Sequence, residues 1–478
     1  MEDNKIIAIK NGNNVNEVDT LKVFESGILE TIKCYGLPTD NILVPIEERI
    51  VVYKNIEPVL HKIKEERKID SVYFSKFLAA VAVGLFDAGL NYLWDETISE
   101  IRKRVIKYDI QYFYDNAVSG DEKRKKLKNS EDIVNLDDNE LICGARKIEL
   151  ISELGFKHLD YIRYMRNWAS AAHPNQIELT GLQLISWLET CIKEVFSLPL
   201  SNVAIETQQL LKNIRTNELS EDDAKKIATS FINLNQYQVN NLASGFLGIY
   251  LDPVSSPMVI QNINYLLPKL WARIDETSRQ DFGVKYGNSV VNNDKDRGVK
   301  IKNFLDIVDG LSYIPDNIKV FEIESTVQNL LSAHYAMNNF YNEPIFARQL
   351  FRLINNSSIP KQASRMVVLG AVKVFLTNGY GVANSAEPYY IDIIKNFDQR
   401  ESLLALMSFT DEQVASKLQF NLCQEKFQEL LILIKGKLSA PAIKELFEEV
   451  DKYSGRLEKI KDNSEIKRKF ENIKIILK

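Results

Sequence analysis

Histidine and cysteine are scarce in this chain, with four of each among 478 residues. The cysteines, Cys34, Cys143, Cys191 and Cys423, include no Cys-x-x-Cys pair. That spacing argues against a disulfide framework and a thiolate zinc site, and favours a reducing compartment. The histidines, His61, His158, His173 and His334, stand too far apart to form a local ligand pair, so neither a metal nor another cofactor is expected. Long apolar runs are missing too. The most apolar window, Phe77 to Leu90, is too short to span a bilayer, and Met1-Glu2-Asp3-Asn4-Lys5 lacks the charged-then-apolar start of a signal peptide. A soluble, cytoplasmic protein with no membrane partner is the expectation. Nor is there an excess of positive charge: 60 Lys and Arg face 65 Asp and Glu, for a net charge of −5. Contact with nucleic acid must then be local, because bulk binding needs clustered cations to displace counterions.

What the chain does have is 45% hydrophobic residues, enough for two or three domains with their own cores. Residues 1–70 read as a mixed α/β segment of unassigned role, with β-branched runs at Lys5 to Lys10 and Arg49 to Tyr53 and a helical stretch from Thr20 to Tyr35. From Ser71 the pattern becomes helical. Phe77, Leu78, Val81, Val83, Leu85, Leu90, Leu93 and Trp94 begin one buried helix that continues through Ile98, Ile101, Val105 and Ile106. The stretch Ser119 to Asp138 is crowded with charge and reads as a solvated loop. Helices are expected from about Asn139 to Glu153 and from Phe156 to Ala172, with Leu154-Gly155 as the C-cap between them. A fourth starts at Thr180, where Thr180 and Gln183 form a capping-box pattern, and Pro199 closes it. The predicted fold is mainly α: a four-helix bundle over residues 71–198, a helical domain or linker over 199–310, and an all-α domain over 311–478.

If the helix from Phe156 persists to Ala172, Arg163, Arg166, Ser170 and His173 are spaced three, four and three residues apart and share one face. Arg166 and His173 then lie one above the other, roughly 10 Å apart along the axis. An imidazole titrates near neutrality and passes protons, whereas a guanidinium keeps its charge and grips phosphate oxygens through a planar fork. Cleavage of RNA by its own 2′-hydroxyl needs these two functions and no obligatory metal. Because the 2′-hydroxyl is the nucleophile, such a site spares DNA. The bland alternative is that both cations merely cap a helix C-terminus, where the macrodipole favours them.

The run Arg166-Asn167-Trp168-Ala169-Ser170-Ala171-Ala172-His173 resembles the R-x(4–6)-H motif of the HEPN superfamily, including the polar residue directly after the arginine. The bundle over residues 71–198 is similar as well. The resemblance implies a metal-independent endoribonuclease whose active site forms where two HEPN units pair into a homodimer, a type recurrent among prokaryotic toxins and phage-defence systems. Carried over by position, Arg166 stabilises the scissile phosphate, Asn167 orients it, and His173 is the acid or base. Arg163, Ser170 and Asn175 would contact RNA, and Glu96 could orient Arg166 or His173. Six residues intervene between Arg166 and His173, at the long end of that spacing. A non-catalytic bundle that binds protein or RNA, with the C-terminal helices as scaffold for a partner or inhibitor, is the alternative.

Three weaker signals remain. Asn378-Gly379-Tyr380-Gly381-Val382-Ala383-Asn384 lacks the Lys-Ser/Thr of a phosphate loop and reads as an interhelical turn. The stretch Lys452 to Lys478 is mildly basic and reads as an exposed amphipathic helix. Tyr108, Tyr112, Phe113 and Tyr114 could stack on bases but more often form core at this density.

Overall fold

The computed structural model describes residues 17–118, 120–169, 178–355 and 357–474. Every regular element among them is helical and none is a strand, as expected for a mainly α chain. The chain divides into two compact units, Met1–Ile263 and Asn264–Lys478.

The N-terminal segment is helical where it is described; the run Lys5 to Lys10 lies outside the described residues. The segment comprises α1 (Glu17–Cys34), α2 (Ile46–Leu60) and the short α3 (Glu65–Ile69). The run Arg49 to Tyr53, read as β-branched, lies inside α2. Burial decides the matter: Val52, Ile56 and Val59 recur at helical spacing and are buried, which outweighs the local β propensity. Nor is this segment separate from the bundle, since α2 packs against α10 (Gly181–Cys191) and Glu48 Oε2 accepts a hydrogen bond from the Gly181 amide at 2.6 Å.

The long helix expected over Phe77 to Ile106 is instead a hairpin of α4 (Val72–Val83) and α5 (Phe86–Tyr108), packed on each other. Gly84 makes the break. It caps α4 in the left-handed region, at φ 94°, and a Cβ there would lie 2.5 Å from Arg49 Nε. Arg49 is 1% exposed; its Nε donates to the Val44 carbonyl at 2.8 Å and its Nη2 lies 2.7 Å from Glu25 Oε2 on α1.

After α6 (Ile110–Ala117), the charged stretch read as a loop is ordered by α7 (Asp121–Lys126) and a 3₁₀ turn at Ser130–Asn135. Three apolar residues anchor it, because Leu127, Ile133 and Leu136 are buried, while Arg124 Nε donates to Asp115 Oδ1 at 2.6 Å. Next come α8 (Asp138–Lys147) and α9 (Glu153–Ala169). Gly155 is not a C-cap. It lies in the first turn of α9, where its missing Cβ leaves room for the buried Glu194, and Glu149 takes the positive φ of the connection. The Thr180–Gln183 capping box starts α10, which runs into a π turn at Ile192–Phe196. Helices α11 (Asn202–Thr216), α12 (Glu221–Ser230) and α13 (Gln236–Leu251) complete the unit before α14 (Pro257–Trp271), within which the division falls.

The second unit comprises α15 (Glu276–Val291), α16 (Lys295–Asp306), α17 (Asp316–Tyr335), α18 (Asn339–Ile354), α19 (Lys361–Phe375), α20 (Glu387–Lys395), α21 (Gln399–Leu406), α22 (Glu412–Lys417), α23 (Asn421–Lys435), α24 (Pro441–Asp451) and α25 (Ser464–Lys474). Packing is chiefly between near neighbours in sequence, with α17 against α18 and α19. The stretch from Lys452, read as one exposed amphipathic helix, is instead a 3₁₀ turn at Leu457–Asp462 followed by α25, which docks on α24 with Ile466 and Ile473 buried.

Candidate active site

The apolar stripe of α9 is Phe156, Leu159, Ile162 and Met165, all buried. Arg163 and Arg166 each follow a stripe residue by one position, so they flank the buried seam. They diverge in their partners. Arg163 closes on its own helix, with Nη2 2.7 Å from Asp160 Oδ1. Arg166 reaches across to α8, whose start is fixed by the Asp137–Glu140 capping box and which thereby carries Asp138 in its first turn.

One carboxylate oxygen holds the site together. Asp138 Oδ2 accepts from Arg166 Nη2 at 2.9 Å and from Trp94 Nε1 at 2.7 Å. Trp94 is fully buried, and its indole N–H therefore needs an acceptor within the protein. The Arg166 guanidinium carbon lies 5.9 Å from the Trp94 ring centroid, Nη1 donates to Asn167 Oδ1 at 3.1 Å, and Nε is buried without a hydrogen-bond partner among the described residues. Arg166 and Asp138 side chains remain 26% and 29% exposed, so solvent, or an anion from solvent, reaches the pair.

Asp95, one residue on from Trp94, belongs to the same electrostatic neighbourhood. Although its side chain is exposed, desolvation by surrounding atoms pushes its carboxyl above the ordinary value; the Arg166 charge opposes this and the Asp138 charge adds to it. Glu96 points to a different cluster. It is buried, and its charge adds to the upward shift of Glu100, a shift due first to burial and opposed by Arg67. Asp138 pairs with Arg166, and Asp95 feels its charge.

Sequence reasoning missed Trp94, Asp95 and Asp138 as parts of this site. The Asp137–Glu140 spacing was a readable helix start, but nothing local announces that position 138 meets position 166. His173, Ser170 and Asn175 lie outside the described residues, as does the final turn that was to place them beside Arg166. Tyr108, Tyr112, Phe113 and Tyr114 are buried core and offer no stacking surface; the Tyr108 and Tyr114 hydroxyls donate to the Ala204 and Asn129 carbonyls, each at 2.9 Å. Among the described residues no group of three or more His, Cys, Asp and Glu could hold a metal ion, and no helix is long and apolar enough to cross a membrane. No protein-family model, curated protein or solved structure matches the chain.

Proposed function

We propose that Arg166 is the phosphate-binding group of an endoribonuclease site in which His173 moves protons. One observation carries the reading: a guanidinium is fixed at the end of α9 by Asp138, Asn167 and the Trp94 face, yet stays open to solvent. Fixed donors stabilise developing phosphoryl charge without reorganising at the moment of reaction. A phosphate arriving at this edge exchanges with Asp138 for one fork of Arg166, while Asp138 retains the Trp94 hydrogen bond. The 2′-hydroxyl then attacks phosphorus, His173 acts as acid or base, and the 5′-oxygen departs to leave a 2′,3′-cyclic phosphate. A homodimer that brings two copies of Arg166 and His173 to one cleft would divide the two proton transfers between protomers. A role as toxin or phage-defence effector follows from the motif resemblance.

The test is incubation of the full chain with total RNA in EDTA, beside His173→Ala and Arg166→Ala. Cleavage should persist in chelator, end in cyclic phosphate, and fall by at least about a hundredfold in either variant. Activity lost in EDTA and restored by Mg²⁺ or Mn²⁺ defeats the reading. The Arg166–Asp138 ion pair favours a second reading, a non-catalytic bundle, because a guanidinium with its own carboxylate needs no phosphate. Binding of RNA or a protein without cleavage under any condition would select it.

A further inference from the structure

The second unit buries a chain of polar groups independent of the Arg166 site. Glu343 of α18 and His334 of α17 are each 1% exposed, and His334 Nδ1 lies 2.9 Å from Glu343 Oε1. Asn339 Nδ2 donates to the same oxygen at 2.7 Å and the Tyr390 hydroxyl to Oε2 at 2.7 Å. Burial pushes the Glu343 carboxyl up, but the hydrogen bonds from His334 and Tyr390, with Asn339, overcome it and hold the group below its ordinary value. An ionised Glu343 only accepts, so Nδ1 carries the imidazole proton and Nε2 presents a lone pair. On that side lies Lys417, the last residue of α22, with Nζ 2.9 Å from His334 Nε2 and hydrogen-bonded to the Thr377 carbonyl.

Lys417 is 7% exposed, yet it lines an open surface depression together with Tyr335, Gln413 and Ser416, and its ammonium lies 5.1 Å from the Tyr335 ring centroid. Tyr335 is the aromatic ring at this opening, and it is exposed. The turn between α19 and α20, whose Thr377 carbonyl holds Lys417, lies against two more exposed rings: Cβ atoms at Gly379 and Gly381 would stand 3.2 Å from the Phe420 ring and 3.1 Å from that of Phe340. Thr377 starts this turn at φ 65°, costly for a β-branched residue, and its hydroxyl accepts from the Gly379 amide at 3.1 Å.

We propose that Lys417 is a nucleophilic amine that forms an imine with a small aldehyde or ketone bearing an aromatic or apolar group. His334 is its proton acceptor, and Glu343 is a positioning residue that fixes the tautomer of His334. The ammonium passes one proton to His334 Nε2, and the freed lone pair forms a C–N bond as the carbonyl π bond breaks. A second nitrogen proton moves to the oxygen, giving a carbinolamine. His334 returns its proton to the hydroxyl, water leaves, and a protonated imine remains with His334 neutral again. A buried amine is activated for such addition because its charged form is disfavoured. Lys417 fits this: burial lowers its pKa to about 8, against the opposing charges of Cys423 and Glu343 and with the help of Lys373. His334 and Tyr335 also touch it, and Asp411, whose charge acts on Tyr335, pairs with Lys373 at 3.2 Å.

The experiment treats the full chain with 4-hydroxybenzaldehyde and sodium cyanoborohydride and follows each lysine by peptide mapping. At about pH 7.5, Lys417 should be trapped about tenfold or more faster than the solvated Lys452. Its rate should climb with pH through a midpoint near 8, while His334→Asn should bring Lys417 down to the rate of Lys452. Trapping of Lys417 no faster than Lys452 overturns the proposal, as does an undiminished rate in folded His334→Asn. Should that variant fail to fold, the wild-type ratio and pH midpoint decide alone. None of these readouts depends on RNA cleavage.

Discussion

Arg166 and Lys417 are both cations held by a carboxylate, but by opposite means. Arg166 pairs directly with Asp138 at a half-exposed edge, and both groups are still within reach of solvent. Lys417 is buried and meets Glu343 only through an intervening imidazole, so carboxylate and ammonium share three helices' worth of packing. Water screens the first arrangement and leaves its partners exchangeable, as a phosphate site requires. The second is shielded, which lets burial set the protonation state of the amine. The contrast is between a charge kept permanent and available and a charge made conditional.

The sharpest way to break this contrast is to remove one acid from the buried chain. Glu343→Ala leaves His334, Tyr390 and Asn339 without their common acceptor and should cost about 3–5 kcal/mol in a denaturant titration. A loss under about 1 kcal/mol would mean that water replaces the carboxylate and that the site is not dry. Next in size is a pH effect. The pKa of Lys417 is depressed to about 8 from 10.5, so between these values the unfolded state binds the proton that the folded state has lost. Wild type should therefore gain stability relative to Lys417→Met as pH rises through that window, and a constant difference between them would argue against the depression.

Arg166→Ala should cost no more than about 1 kcal/mol, because an ion pair partly open to solvent is screened and contributes little, even if catalysis collapses. A larger fall in melting temperature would make Arg166 a structural cap and erase the distinction between the two sites. The smallest effect belongs to Asp95. Its carboxyl is raised from 3.8, so its ionisation in the folded state opposes folding as pH rises through the folded value. Asp95→Asn should stabilise slightly near neutrality and not at about pH 3, with solvent exposure keeping the gain small.

Much of the helical architecture was legible because it is encoded within a few residues. The Thr180–Gln183 box, the helix beginning near Thr20 and the apolar stripe of α9 all follow from local spacing. Failures came where a distant partner decided. The run from Arg49 to Tyr53 is helical because α2 is covered by α10, and the long helix breaks at Gly84 because Arg49 fills the space there. Three buried side chains order a stretch whose charge suggested a solvated loop. At the candidate site, Arg166 could be picked out from its spacing to His173, but Asp138 could not, since its contact with Arg166 is tertiary. His334, Glu343 and Lys417 carry no motif at all: three helices bring them together, and each alone is an ordinary polar residue in a helical pattern.

Gly84 contributes a single hydrogen where every other residue would contribute a carbon, and three segments meet over that vacancy. Its carbonyl accepts from the Val44 amide at 2.9 Å, and its bare α-carbon admits Arg49, which in turn faces Glu25. The first helix is therefore moored to the bundle by an atom that is not there. In a library of random variants, position 84 should tolerate almost nothing, and its casualties should betray themselves by protease nicks between Tyr35 and Val44, far along the sequence from the altered codon.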